Sequence, residues 1–187
     1  MSNTEPTEKA ESECAEKGYV HIYTGNGKGK TTAAFGLTVR ALMAGKKVFI
    51  AQFVKSMKYS ETRLQDCLKG LRVEQFGHGC FIHKNEPAQV DFDIARKGLA
   101  ECERVLMSDE YDVVILDEIT IAFSYKLLDV NDVVRAIKGR KPQIEVVVTG
   151  RNAPQELIEL GDLVTEMKEI KHYYSSQGVK ARVGIER

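Results

Sequence analysis

The sequence predicts an α/β fold, a mostly parallel β-sheet with helices on both faces, from three observations. Nearly continuous apolar runs, such as Lys47–Phe53 (KVFIAQF) and Asp112–Leu116, mark strands that are shielded on both sides. Helical segments alternate with these runs along the chain, which calls for right-handed crossovers between parallel strands. A glycine-rich loop joins the first apolar run to the first helix, the context in which a backbone turn cradles phosphate.

That loop is Tyr23–Thr32, YTGNGKGKTT, and it follows the β-prone run Tyr19–Tyr23. Gly25, Gly27 and Gly29 allow a tight turn whose N–H groups converge, and the helix that starts there adds unpaired donors and partial positive charge. Lys30 adds a full charge, and the Thr31 hydroxyl is placed to reach a magnesium ion held by the same phosphates. The pattern G-x-x-x-x-G-K-[ST] is met at Gly29, Lys30 and Thr31; Thr24 stands where its first glycine belongs. The architecture expected is therefore a P-loop (RecA-like) sheet.

Composition narrows the classes further. The 187 residues suit one domain, and 27 basic against 27 acidic residues leave no positive field to hold a nucleic-acid backbone. Cys14, Cys67, Cys80 and Cys102 lie far apart, without metal-ligand or disulfide spacing. No apolar run approaches a membrane span and the acidic N-terminus lacks a signal core, so a cytoplasmic location without membrane contact is expected.

Residues 1–17, rich in Glu, Ser, Thr and Lys, have little to bury and are expected to form a flexible arm before a single domain, 18–187. A helix is expected from about Lys30 to Ala44, closed by Gly45 as a left-handed cap. After the Lys47–Phe53 strand, Ser60–Arg63 reads as a helix start with Leu64, Cys67 and Leu68 on one face, and LRVEQFG as a strand. GHGCFIHKNEP, with two glycines and two histidines, is a long loop at a strand end, where open α/β sheets place ligands. An amphipathic helix from Pro87 to about Ser108, with Ile94, Leu99, Val105 and Leu106, leads into YDVVILDEIT. Helices around Thr120–Lys126 and Val130–Lys138, the strand IEVVVTG, a short helix through Leu160 and the apolar DLVTEMKEI complete the order.

Asp117 and Glu118 end the Asp112–Leu116 run and would emerge beside the phosphate loop if the two strands are neighbours. A carboxylate there can hold or orient magnesium. Side chains alternate along a strand, so the two acids diverge and either is a candidate.

TGNGKGKTTAAFG, QFVK, VVILDEIT, VVVTGR, and KH followed by GVKARVGIE together resemble the corrinoid adenosyltransferases of the CobA/BtuR type, in order and over nearly the whole chain beyond the arm. The resemblance implies transfer of the 5′-deoxyadenosyl group of ATP to a reduced cob(I)alamin or related corrinoid, with release of triphosphate. It also implies a homodimer and an electron donor for cobalt reduction. Gly25, Asn26, Gly27, Lys28, Gly29, Lys30, Thr31 and Thr32 would then bind phosphate. Thr31 and Glu118 would hold Mg2+ or Mn2+, with Lys30, Thr31 and Glu118 forming the catalytic set and Arg151 near phosphate or substrate. One departure concerns the GHGCFIH loop, where the family often carries a Phe and a Trp that help hold the corrinoid. This chain has no Trp, leaving Phe81 to supply an apolar face. His78 and His83 are read as loop hydrogen-bonding residues, and His172 as a structural one. A RecA-like ATPase or kinase cleaving the terminal phosphate is the rival chemistry.

Overall fold

The computed structural model describes residues 17–55, 57, 59–78 and 86–186. Six strands form one sheet: β1 (Val20–Thr24), β2 (Val48–Phe53), β3 (Leu71–Phe76), β4 (Val113–Asp117), β5 (Glu145–Thr149) and β6 (Leu163–Glu166). Their order is β3-β2-β4-β5-β1-β6, and every pairing is parallel. The apolar runs explain the centre of this order. β2 and β4 are buried along their full lengths, as strands covered on both faces must be.

Alternation along β2 divides the core in two. Val48 and Ile50 face α1 (Lys30–Met43), meeting Ala34, Phe35, Ala41 and Leu42; Phe49, Ala51 and Phe53 face the opposite layer. That second layer comprises α3 (Gln89–Leu106), α4 (Ile119–Ser124), α5 (Val130–Lys138) and α6 (Gln155–Leu160). Phe49, Phe53, Ile115, Leu116 and Ile137 are fully buried, and each contributes roughly 1.5–3 kcal/mol relative to exposure.

The expected elements are present with small shifts at their ends. α1 closes as its sequence implied: Gly45 is left-handed (φ 80°), and the Gly45 and Lys46 N–H groups donate back to Leu42 and Ala41. α5 begins at an Asp129 cap, whose carboxylate accepts from the Asn131 N–H at 2.7 Å. The Ser60 helix is shorter than its pattern suggested, a 3₁₀ turn (Ser60–Arg63) followed by one α-turn, α2 (Leu64–Cys67). The C-terminal region holds β6 and then α7 (Tyr173–Gln177), which no apolar periodicity announced and which His172 caps by accepting the Tyr174 N–H. Among the described cysteines, Cys102 is buried and Cys67 exposed, both as thiols. No helix among the described residues is long and apolar enough to cross a membrane. All but Lys17 of the expected N-terminal arm, together with Phe81 and His83, lies outside the described residues.

The condition that β1 and β4 be neighbours is not met: β5 lies between them. The acids still meet the loop because α1, rising from the end of β1, crosses back over β5 and β4 and packs on both. Its first turn therefore stands above the carboxyl end of β4.

Candidate active site

The loop after β1 is shaped by residues that only glycine can replace. Gly25 and Gly29 have φ of 98° and 118°, in the left-handed region that disfavours side chains. A Cβ at Gly27 would lie 2.6 Å from the Met167 carbonyl oxygen, which accepts the Gly27 N–H. The chain leaving β6 thus backs the loop, with the Met167 N–H donating to Thr24 O at 2.8 Å. Thr24 has its own task at the position where the motif has glycine. Its hydroxyl accepts the Ala153 N–H at 3.1 Å and ties the loop to the turn after β5.

Lys30 opens α1 and is buried. Its ammonium donates to Gly25 O and Gly27 O, both at 2.7 Å, bridging the loop from within. Burial lowers its pKa, with Glu118 and Asp117 opposing and Arg151 reinforcing the shift. The first N–H groups of α1 have no carbonyl before them in the helix, so this end carries donors and positive potential.

Asp117 is the fixed point beneath the loop, fully buried at the end of β4. Its Oδ1 accepts from the Thr31 hydroxyl at 2.8 Å and the Thr149 hydroxyl at 2.7 Å. Its Oδ2 accepts from Gln52 Nε2 at 3.0 Å and Lys55 Nζ at 2.7 Å. The carboxylate is thereby gripped by α1, the end of β2 and the end of β5 together. Glu118 diverges because its backbone is left-handed and no longer extended. Its φ of 59° takes it off the strand, and its N–H donates to Thr149 Oγ1 at 3.0 Å. Burial raises the Glu118 pKa, and Asp117 adds to the effect against Lys55, Lys30 and Arg151.

A cavity of about 490 Å³ gathers most of the expected residues: Asn26, Gly27, Lys28, Gly29, Lys30, Thr31, Thr32, Glu118 and Arg151. Gly25 belongs to the loop without lining the cavity, and His78 does not line it. Lys28, Lys30, Lys55 and Arg151 line it beside the first N–H groups of α1, a set of donors and positive charge that suits an anionic group such as phosphate.

Residues 16–187 match the family model described as "ATP:corrinoid adenosyltransferase BtuR/CobO/CobP". The chain belongs to the ATP:corrinoid adenosyltransferase family. Curated relatives named corrinoid adenosyltransferase include one from Escherichia coli (strain K12), 36% identical over 91% of this chain and 86% of its own length. One from a Sinorhizobium species is 41% identical over 91% of this chain and 81% of its own. Corrinoid adenosyltransferase CobA of Salmonella typhimurium (strain LT2) is 33% identical over 91% and 86%. The family resemblance of the motifs is borne out, and the chemistry is ATP-dependent adenosylation of a corrinoid rather than terminal phosphate cleavage.

In this adenosyltransferase several site residues carried no readable sign. Gln52 and Thr149 sit inside apolar strands, where a polar residue bound to a buried acid looks like any other strand residue. Lys55 lay in the QFVK motif without a role, yet it lines the cavity. Burial pulls its pKa down, but the Asp117 carboxylate outweighs this and the net shift is upward. The chain's last described residues also return to the loop. Lys28 Nζ donates to Glu186 Oε1 at 3.0 Å and to Tyr173 Oη and Ile185 O, both at 3.3 Å. Bonds from Arg182, Tyr173 and Lys28 hold the Glu186 carboxyl well below the usual carboxylate range. His172 lines the cavity as well as capping α7.

Proposed function

We propose that the enzyme binds ATP with its triphosphate on the Tyr23–Thr32 loop and presents the 5′ carbon to the cobalt of a reduced cob(I) corrinoid. The cobalt electron pair forms the Co–C bond while the C5′–O bond breaks, and that bond's electrons leave on triphosphate. The protein needs no nucleophile of its own. Its tasks are to position the carbon and to stabilise charge on the departing group. Loop N–H groups from Gly25 to Lys30, the Lys30 ammonium, Asn26, Lys28 and Thr32 serve the phosphates, with Arg151 at the rim. The observation that carries this reading is the meeting of Lys30, Thr31 and Glu118 in one cavity at the start of α1.

A magnesium ion, or manganese, fits the donors present. The Thr31 hydroxyl donates a hydrogen bond to Asp117, which turns its lone pairs away from that acid, and Glu118 supplies a carboxylate on the cavity wall. Both are hard oxygen ligands of the kind that accompany phosphate oxygens and water around magnesium. When bound, the ion neutralises charge on the leaving triphosphate. Asp117, with both oxygens already occupied, orients Thr31 from behind.

The same reading includes a cytoplasmic homodimer supplied with cobalt(I) by a separate electron donor. ATP and a strongly reduced metal substrate suit a reducing compartment. Exposed Leu163 and Val164 on the edge strand β6 offer a surface for a second copy to cover.

Incubation with ATP, magnesium and chemically reduced corrinoid should bleach the cobalt(I) spectrum and yield intact tripolyphosphate. ADP and orthophosphate without a cobalt–carbon bond would sink the proposal. Glu118→Gln should raise the magnesium concentration for half-maximal activity by roughly tenfold, about 1.4 kcal/mol of metal binding. Its melting temperature should hold or rise, because burial already disfavours the ionised Glu118 in the folded protein. An unchanged magnesium titration would remove Glu118 from the metal.

A further inference from the structure

β2 ends at Phe53, and the next residue still keeps the ladder, with the Val54 N–H donating to Phe76 O at 2.9 Å. Val54 nevertheless has φ of 59°. A β-branched side chain is a genuine outlier in that region, and such strain persists only where the surroundings hold it, most often at functional sites. The neighbouring strand makes room for the turn. A Cβ on Gly77 would lie 2.6 Å from both Lys55 N and Val54 C, so position 77 carries no side chain where the two backbones touch. Strain on one strand and a close approach from the next serve the same bend.

That bend aims Lys55 into the cavity. Its side chain is 16% exposed, its Nζ stands 2.7 Å from Asp117 Oδ2 and 3.5 Å from Thr31 Oγ1, and it lies 5.3 Å from the centre of the Tyr59 ring. A counter-ion for Asp117 is the simpler role, but it leaves the geometry underused. Asp117 already takes three other donors, from Thr31, Thr149 and Gln52. An ammonium has three N–H groups, and after Asp117 and the long approach to Thr31 at least one remains for the cavity. Lys30, by comparison, spends two of its N–H groups on loop carbonyls.

We infer that Lys55 is a further catalytic residue, a cation from outside the glycine-rich loop that donates to the departing triphosphate while anchored on Asp117. The inference rests on the adenosyl-transfer reading for its chemistry: when the C5′–O bond breaks, the added negative charge appears on triphosphate, beside a charge already fixed in place. The Val54 turn and the bare Gly77 are the means by which the fold sets that charge.

Titration with inorganic tripolyphosphate without divalent cation tests the contact apart from corrinoid chemistry. Lys55→Gln should weaken tripolyphosphate binding about 10- to 100-fold, the range for a lost charge-assisted hydrogen bond, and leave adenosine binding within about twofold. Lys55→Arg should recover much of the anion affinity. Unchanged tripolyphosphate affinity in Lys55→Gln overturns the inference, and so does an equal loss of adenosine. A Lys55→Arg protein that regains the melting temperature but not the anion overturns it too, since a purely structural counter-ion would behave that way. Wild-type protein that binds tripolyphosphate through Lys55 yet forms no cobalt–carbon bond would sink the transfer reading and leave this contact standing.

Discussion

Lys30→Ala should lower kcat for adenosyl transfer by about 10²–10³, the scale on which removing one preorganised donor to developing charge acts. Lys30 is the buried cation at the start of α1, and its ammonium already stands within the loop, 2.7 Å from two carbonyls of the turn it would present to phosphate. Its removal has two consequences of opposite sign for folding. Gly25 O and Gly27 O lose their donor, while the cost of burying the ammonium, visible in its lowered pKa, is relieved. The melting temperature should therefore move by only a few degrees, and the loss should show in turnover. An interaction made mainly with the departing group lowers kcat and kcat/KM together, whereas ground-state binding alone would raise KM. Steady-state kinetics with varied ATP distinguishes these, and kcat within about threefold of wild type would remove Lys30 from the reaction.

The layers of this fold were legible because burial on two faces leaves a local mark. Val48–Phe53 and Val113–Asp117 are apolar runs that could only be central strands, and α5 occupies the span its periodicity marked. The glycine-rich loop was legible for a related reason: its glycines answer to local backbone geometry, here φ of 98° and 118° at Gly25 and Gly29. What remained hidden depends on partners far apart in the chain. Thr31 and Asp117 are separated by 86 positions, and Lys28 and Glu186 by 158. No window of sequence contains both members of either pair. Strand order was hidden likewise, since β5 enters between β1 and β4 from later in the chain. Lys55 was concealed by a single backbone angle, because a valine at φ 59° has no compositional signature. The motif resemblance located QFVK, but only the turn shows where its lysine points.

Asp117→Asn should be the most destabilising conservative change in the site, costing about 3–5 kcal/mol, the usual result of breaking a buried ion pair from one side. Four donors converge on its two oxygens: the Thr31 and Thr149 hydroxyls, the Gln52 amide and the Lys55 ammonium. An asparagine amide retains one acceptor oxygen and turns two N–H groups toward the rest. If the oxygen serves Lys55 and Gln52, the amide faces the hydroxyls. Thr149 can accept the amide beside the Glu118 N–H, but its own hydroxyl hydrogen then loses its acceptor in a fully buried position. If the oxygen serves the hydroxyls, the amide meets the ammonium and the Gln52 donor, and a buried charge loses its partner. The first rotamer breaks the contacts from α1 and β5, and the second breaks both contacts from the end of β2. For a domain of this size each kcal/mol corresponds to about 2–4 °C, so a fall of roughly 10 °C is expected in a thermal melt. Pairing the change with Lys55→Gln should return part of that loss, because the stranded charge goes with it, and the double-mutant cycle should show a coupling energy of at least about 1 kcal/mol. Additive losses would mean that Lys55 does not depend on Asp117, and a melting temperature within 2 °C of wild type for Asp117→Asn would mean that the four-way grip does not hold the site together.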